Sequence, residues 1–317
     1  MQNEERILLL SRREVREAMT WPTLFEACRG ALIGLASPDA LPSISAQLPV
    51  PGASLHLKAG AILTPPILSV KANLRPDTGS TSGAILAFDH GDQRLRAILA
   101  SADLTAMRTA AIAAVTAVEL VEKKNPRIAL IGAGPVARYT DEALTHLHMS
   151  DEIRIWSRNG EHSRTMAETG PLGQNRIACA TVSEAVKDAD LVITCTPSRL
   201  PLVKPEDLSQ DVIVLAMGAD SPGKRELGAG ILESSNLYAD VLGDALRVGE
   251  LAYIATEEAQ RAIPIGTRLA KSQNVLAGNT RIVFDSVGSS AVDAAVVAMT
   301  LGIAMESGSG SWIALND

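Results

Sequence analysis

From Ile131 to Ala137 the chain reads Ile-Gly-Ala-Gly-Pro-Val-Ala, directly after the apolar run Ile128–Ile131. This is a G-x-G-x-x-A turn between a strand and a helix. Gly132 permits the tight turn, Gly134 lets the backbone approach a ligand, and Ala137 allows the helix to pack closely on the strand. Pro135 suits the first helical turn, where its missing N–H costs no ladder bond, and Val136 completes that turn. The free N–H groups of such a helix start can hold a pyrophosphate, so these five residues are expected to bind a dinucleotide. The alternative is an ordinary glycine turn. A second apolar run, Ile153 to Trp156, arrives where the next parallel strand belongs.

The end of that second strand separates the two nicotinamide cofactors. A carboxylate there bonds the 2′-hydroxyl of NAD, whereas an arginine accommodates the 2′-phosphate of NADP. This chain has Trp156-Ser157-Arg158-Asn159 and no carboxylate. Ser157 and Arg158 therefore predict NADPH, with NAD possible and Arg164 a weaker helper. The alternative for Arg158 is a solvated loop arginine. Thr196-Pro197 follows the strand LVITC and Gly218 follows VIVLAM, which places these three among the cofactor contacts.

Arg108 is the one charge in an otherwise apolar helical stretch before its last turn. An arginine cannot lose its charge, so burial there requires an anion. A carboxylate held bidentately is one candidate; pairing with a protein carboxylate such as Asp103 is the other. Asp220 follows a strand and Gly218-Ala219, outside the carboxyl end of a parallel strand, where it can bond an imine or amine nitrogen or simply cap the turn Ser221-Pro222-Gly223. Lys71 and Lys58 lie in strand-like runs, where a lysine is ordinarily a solvated face residue. Lys58 is open between a second anion contact and a proton donor, and His56 shares its face.

Other chemistry is not expected. There is no G-x-S-x-G elbow, Cys195 reads as core packing, and His146 and His148 fall on different sides of a helix, so no metal site is predicted.

The elements that must carry these residues follow from hydrophobic pattern. Trp21 to Leu35 reads as an amphipathic helix, and the segment after it is broken by prolines and glycine. SLHLKAGAIL, ILSVKANL and GAILAFD then read as hairpin-connected strands, giving an α+β first domain. Thr105 to Glu122 is an alanine-rich buried linking helix. Beyond it, strands and helices alternate, which demands a doubly wound parallel sheet of Rossmann type. The expected division is 1–118 with 289–317 as substrate-binding and dimerisation domain, and 119–288 as dinucleotide domain. A chain of 317 residues has room for both cores. A formal charge of −7 without basic clusters argues against nucleic acid, and no segment offers 18 charge-free apolar residues, the nearest being Thr109–Val118. Three unpaired cysteines and no signal peptide predict a cytoplasmic protein with no membrane partner.

In this order and spacing, SVKANLRPD with GAILAFD, DLTAMRTAAIAAV, IGAGPVARY, and MGADSPGKREL with LYADVLGDALRVGEL and DSVGSSAVDAA make the chain resemble the ornithine cyclodeaminase and mu-crystallin family. The resemblance spans nearly the whole length. It implies a homodimer in which Lys71 binds substrate, Arg108 binds its carboxylate, and Lys71 and Asp220 are catalytic. It also implies a small imino- or amino-acid substrate and reduction of a C=N bond. Cyclodeamination of ornithine is the alternative within the family, and nucleotide binding with little catalysis is a third reading. One departure stands out. The cyclodeaminases carry an arginine after a proline before the first of these strands, and Leu41-Pro42-Ser43-Ile44-Ser45 has none, which moves the expectation away from ornithine.

Overall fold

The computed structural model describes residues 6–77, 79–149, 151–171, 175–271 and 281–315. The chain divides into two compact units. The first takes the chain up to Ala31, Ser37–Arg108 and everything from Ser289; the second takes Leu32–Ala36 and Thr109–Gly288. The division at Arg108 falls inside the linking helix, not at its end.

The first unit holds β1 (Arg6–Leu10), α1 (Arg12–Ala18), most of α2 (Trp21–Leu35), β2 (Ile44–Val50), β3 (Ala53–Ala61), β4 (Ile67–Pro76), β5 (Ser82–Asp89), β6 (Arg94–Ala100) and the start of α3 (Ser101–Leu120). The second unit continues with β7 (Ile128–Ile131), α4 (Pro135–His146), β8 (Glu152–Trp156), α5 (Gly160–Thr169), β9 (Asn175–Ala178), α6 (Val182–Val186), β10 (Leu191–Thr194) and β11 (Ile213–Ala216). It ends with β12 (Asn236–Ala239), α7 (Leu242–Val248), α8 (Thr256–Ala259), β13 (Ile263–Pro264), α9 (Ile265–Lys271) and β14 (Ile282–Asp285). The chain then re-enters the first unit as α10 (Ser290–Ser307) and β15 (Ser311–Ala314).

The first sheet runs β15-β1-β6-β5-β4-β3-β2, with only β1 and β6 parallel. β1, β6 and β15 were not expected from the pattern. β2 makes one seven-residue strand where the prolines and glycine suggested short extended pieces and turns. It pairs with β3 along its full length and is exposed throughout. An edge strand tolerates proline because one side of its ladder needs no donor. From Ile67 to Asn73 on β4 burial alternates, and after Ile67 the buried face is polar: Ser69, Lys71 and Asn73. The apolar helix α10 covers part of that face. It is long and apolar enough to cross a membrane by length and composition, more so than Thr109–Val118. Here it is a core helix, joined to the sheet by the Ser290 hydroxyl donating to the Ala59 carbonyl at 2.8 Å.

The second sheet is parallel throughout, in the order β13-β12-β14-β11-β10-β7-β8-β9. IALI, LVIT, IVLA and IVFD are buried at every position, as strands covered by helices on both faces must be. Winding proceeds from β7 to β8 and β9 on one side and from β10 to β11 and β14 on the other. Between β7 and β10 it reverses, and ligands of open α/β sheets bind at that reversal.

One buried ion pair ties α4 to the far edge of this sheet. Arg176 donates to Asp141 at 2.6 Å, with both side chains almost fully enclosed, and also to the Thr145 hydroxyl. Removing one partner strands the other charge, so Asp141→Ala is expected to cost about 3–5 kcal/mol in chemical denaturation.

Candidate active site

In the first unit, β3 and β4 pair so that Lys58 lies opposite Lys71 and His56 opposite Asn73. Directly paired residues share a sheet face, so these four side chains stand together. His56 is held by Ser54, at 2.7 Å from its hydroxyl. Asn73 accepts from the Ser101 hydroxyl at the start of α3. Lys71 is only 4% exposed, which reverses the expectation of a solvated strand lysine.

Arg108 is equally buried, and its anion is part of the protein. Asp103, the partner considered from sequence, is instead gripped by Arg12 through two bonds of 2.7 and 2.8 Å. Arg108 donates Nε to Asp293 Oδ1 at 2.9 Å, and Lys71 donates to Oδ2 of the same carboxylate at 2.6 Å. Asp293 is fully buried in the first turn of α10, whose N-terminus favours negative charge. Burial alone pushes its carboxyl up, but Lys71 and then Arg108 outweigh that and hold it at about 2. Burial lowers Lys71 to about 7 despite the pull of Asp293, and Arg108 and Lys58 push it further the same way. Among the described residues no hydrogen bond reaches the two terminal nitrogens of Arg108. They form the fork with which a guanidinium takes a carboxylate.

In the second unit the glycine turn has the geometry a pyrophosphate requires. Gly132 sits at φ +131°, and a Cβ there would come within 3.0 Å of the Cys195 carbonyl. Its N–H donates to the Trp156 carbonyl at 2.7 Å, which ties β7 to the end of β8. A Cβ on Gly134 would meet nothing within 4 Å. Gly134 is also the N-cap of α4 without a side-chain cap bond, and Pro135 follows at the first position, so the leading N–H groups keep their donors. Ala137 is fully buried and Val136 half-buried. These residues fit a dinucleotide. At the end of β8, Arg158 is exposed, while the Ser157 hydroxyl donates to the Asn159 carbonyl and is committed to the turn. Of the predicted pair, only Arg158 has its donors free for a phosphate.

Pro197 is exposed, and Thr196 and Gly218 are half-buried at the ends of β10 and β11. Both of the latter turn their N–H groups to Glu226, at 2.7 and 2.9 Å. Asp220 accepts from Lys224 at 2.6 Å in the turn that follows β11. Asp293, Lys224 and Glu226 were not singled out from sequence. Asp293 lies in an apolar helix in which an isolated acid is the only signal, the counterpart of the isolated Arg108.

Residues 80–306 match the model of the ornithine cyclodeaminase/mu-crystallin family. The chain belongs to this family. It is 23% identical to the iminosuccinate reductase of Paracoccus denitrificans over 95% of this chain and 98% of that one. It is 32% identical to the ketimine reductase mu-crystallin of Mus musculus over 53% of each. Among solved structures, the archaeal alanine dehydrogenase dimer with bound NAD superposes with a TM-score of 0.89 at 22% identity, over 98% of this chain and 99% of that one. The mixed antiparallel unit and the doubly wound parallel unit are thus the architecture of a member of the ornithine cyclodeaminase/mu-crystallin family.

Asp293 holds two cations, and its lowered carboxyl contributes stability above the ordinary carboxylate range that is lost as pH falls toward 2. Asp293→Asn removes that anion and is expected to cost about 3–5 kcal/mol. Lys71 can discard its charge once the pH exceeds about 7, whereas Arg108 cannot. The loss, measured by urea denaturation, should therefore be larger at pH 6 than at pH 9.

Proposed function

We propose that the chain is an NADPH-preferring reductase that converts a small α-imino acid to an L-amino acid, or runs the reverse. The observation that carries this reading is the pair of buried cations, Lys71 and Arg108, sharing the single carboxylate of Asp293. Two positive charges against one negative leave a site short of an anion, and Lys58 adds a further cation to it. A substrate carboxylate supplies that anion, and the free fork of Arg108 accepts it. Fixing a substrate so that the reacting atoms are aligned can contribute up to about 7–11 kcal/mol. The names of the relatives, an iminosuccinate reductase and a ketimine reductase, agree with it.

When bound, the cofactor supplies the hydride that reduces the C=N carbon. Gly132, Gly134, Pro135, Val136 and Ala137 hold its pyrophosphate, and Thr196, Pro197 and Gly218 border it at the ends of β10 and β11. Asp220, fixed by Lys224, orients the imine nitrogen or gives it a proton. Arg158 supports NADPH over NADH, although the archaeal alanine dehydrogenase was solved with NAD. That dehydrogenase is a dimer, and we extend the same state to this chain. The exposed edge strand β2, with Ile44, Leu48 and Val50 uncovered, supports it. Cys28, Cys179 and Cys195 are all free thiols, as a cytoplasmic enzyme has.

Three measurements test this. A net loss of nicotinamide absorbance with imino acids, formed from keto acids and ammonia or methylamine, is expected; ammonia release from ornithine with no net absorbance change points to cyclodeamination instead. kcat/KM should favour NADPH over NADH, and Arg158→Ala should erase most of that preference; a wild-type preference for NADH rejects the assignment of Arg158. Because Lys71 loses its charge as pH rises through about 7, KM for the imino acid should climb above that pH. Lys71→Arg, whose guanidinium stays charged, should flatten the climb.

A further inference from the structure

The second unit contains a side chain whose work neither the glycine turn nor the substrate cations explain. Glu226 is fully buried, and its carboxylate takes four donors. Oε2 accepts from the Thr194 hydroxyl at 2.7 Å and the Gly218 N–H at 2.9 Å; Oε1 accepts from the Thr196 N–H at 2.7 Å and the Thr196 hydroxyl at 2.6 Å. Thr194 ends β10, Thr196 opens the loop after it, and Gly218 opens the loop after β11. These strands are neighbours, and their ladder runs on as far as the Met217 N–H donating to the Thr194 carbonyl at 2.9 Å. Where the ladder stops, Glu226 takes over.

The contact leaves no slack. A Cβ on Gly218 would fall 2.1 Å from the Thr196 carbonyl oxygen and 2.6 Å from Glu226 Oε2, so only glycine lets the two loops come this close. Glu226 is itself fixed from behind, because its N–H and that of Leu227 donate to Glu250 at 2.6 and 3.3 Å. The position in the fold gives this clamp a purpose. β7 and β8 carry the turn and the strand end that serve the adenosine and pyrophosphate half of a dinucleotide. β10 and β11 lie across the reversal of winding, in the half of the sheet that serves the second nucleotide.

We infer that Glu226 is a positioning residue for the nicotinamide half of the cofactor, locking the loops after β10 and β11 to one another through a single carboxylate. It need not touch the cofactor. It uses up the inward N–H groups of Thr196 and Gly218 and thereby sets which surface of each loop faces the crevice. The inference rests on the dinucleotide reading proposed above, and the two can fail separately.

Glu226→Gln keeps the shape but turns one oxygen into a donor, so the backbone N–H that faced it loses its acceptor, while the threonine hydroxyl there can turn and accept. Thr194→Val removes one bond from a residue at the end of β10 and keeps its shape. Calorimetric titration of both variants and the wild type with NADPH, NADH and ADP reads the effect on each half, since ADP carries only the adenosine and pyrophosphate portion. Glu226→Gln should weaken binding of the preferred dinucleotide about tenfold and Thr194→Val by a smaller factor, with ADP affinity unchanged in both. Unchanged dinucleotide affinity overturns the inference, as does an equal loss for ADP, which marks a general disturbance of the fold. Should Glu226→Gln fail to fold, the Thr194→Val titration decides by the same criterion. A wild-type protein that binds neither dinucleotide sinks the cofactor reading itself.

Discussion

Asp293 carries two cations in a place from which water is excluded, and much of the first unit follows from that arrangement. Lys71 comes from a strand, Arg108 from the linking helix and Asp293 from a helix nearly two hundred residues further along the chain. A buried cation without an anion is too costly to keep, and a buried carboxylate is no cheaper. The three therefore stabilise one another only when β4, α3 and α10 are all in place. This explains why the last helix must return to the first unit after the parallel sheet is complete. It also leaves one carboxylate shared between two cations.

The second unit meets a related problem at the carboxyl edge of its sheet. Parallel strands end with loops whose N–H groups leave the ladder, and here buried carboxylates collect them. Glu226 takes those after β10 and β11. Glu250 takes the N–H groups of Glu226 and Leu227, and burial raises its carboxyl to about 7. Asp285, at the end of β14, accepts the Leu251 N–H at 2.9 Å, and burial raises it well above the usual carboxylate range. Asp240, after β12, accepts from Ser286, Val287 and Gly288. The carboxyl edge of this sheet is thus lined with acids that mostly serve backbone N–H groups.

How much of this was legible from sequence depends on whether the partners are near in the chain. The strand–turn–helix at Gly132 was readable because strand, glycines and helix follow one another within a dozen residues. The parallel sheet was readable from alternation, and the buried helix from its alanines. Arg108 announced that an anion must exist. It could not announce which one, because Asp103 is close in sequence and Asp293 is not, and the nearer acid proved to belong to Arg12.

Sequence by itself determined the doubly wound parallel sheet and the family, since each rests on short-range pattern. Only the tertiary structure decided which side chains came together. It buried a strand lysine that pattern placed in solvent, chose Asp293 over Asp103, committed the Ser157 hydroxyl to its own turn and revealed Glu226 as a clamp. The reason is physical: the cost of burying a charge or an N–H is set by what the fold brings beside it, and that neighbour has no fixed distance along the chain.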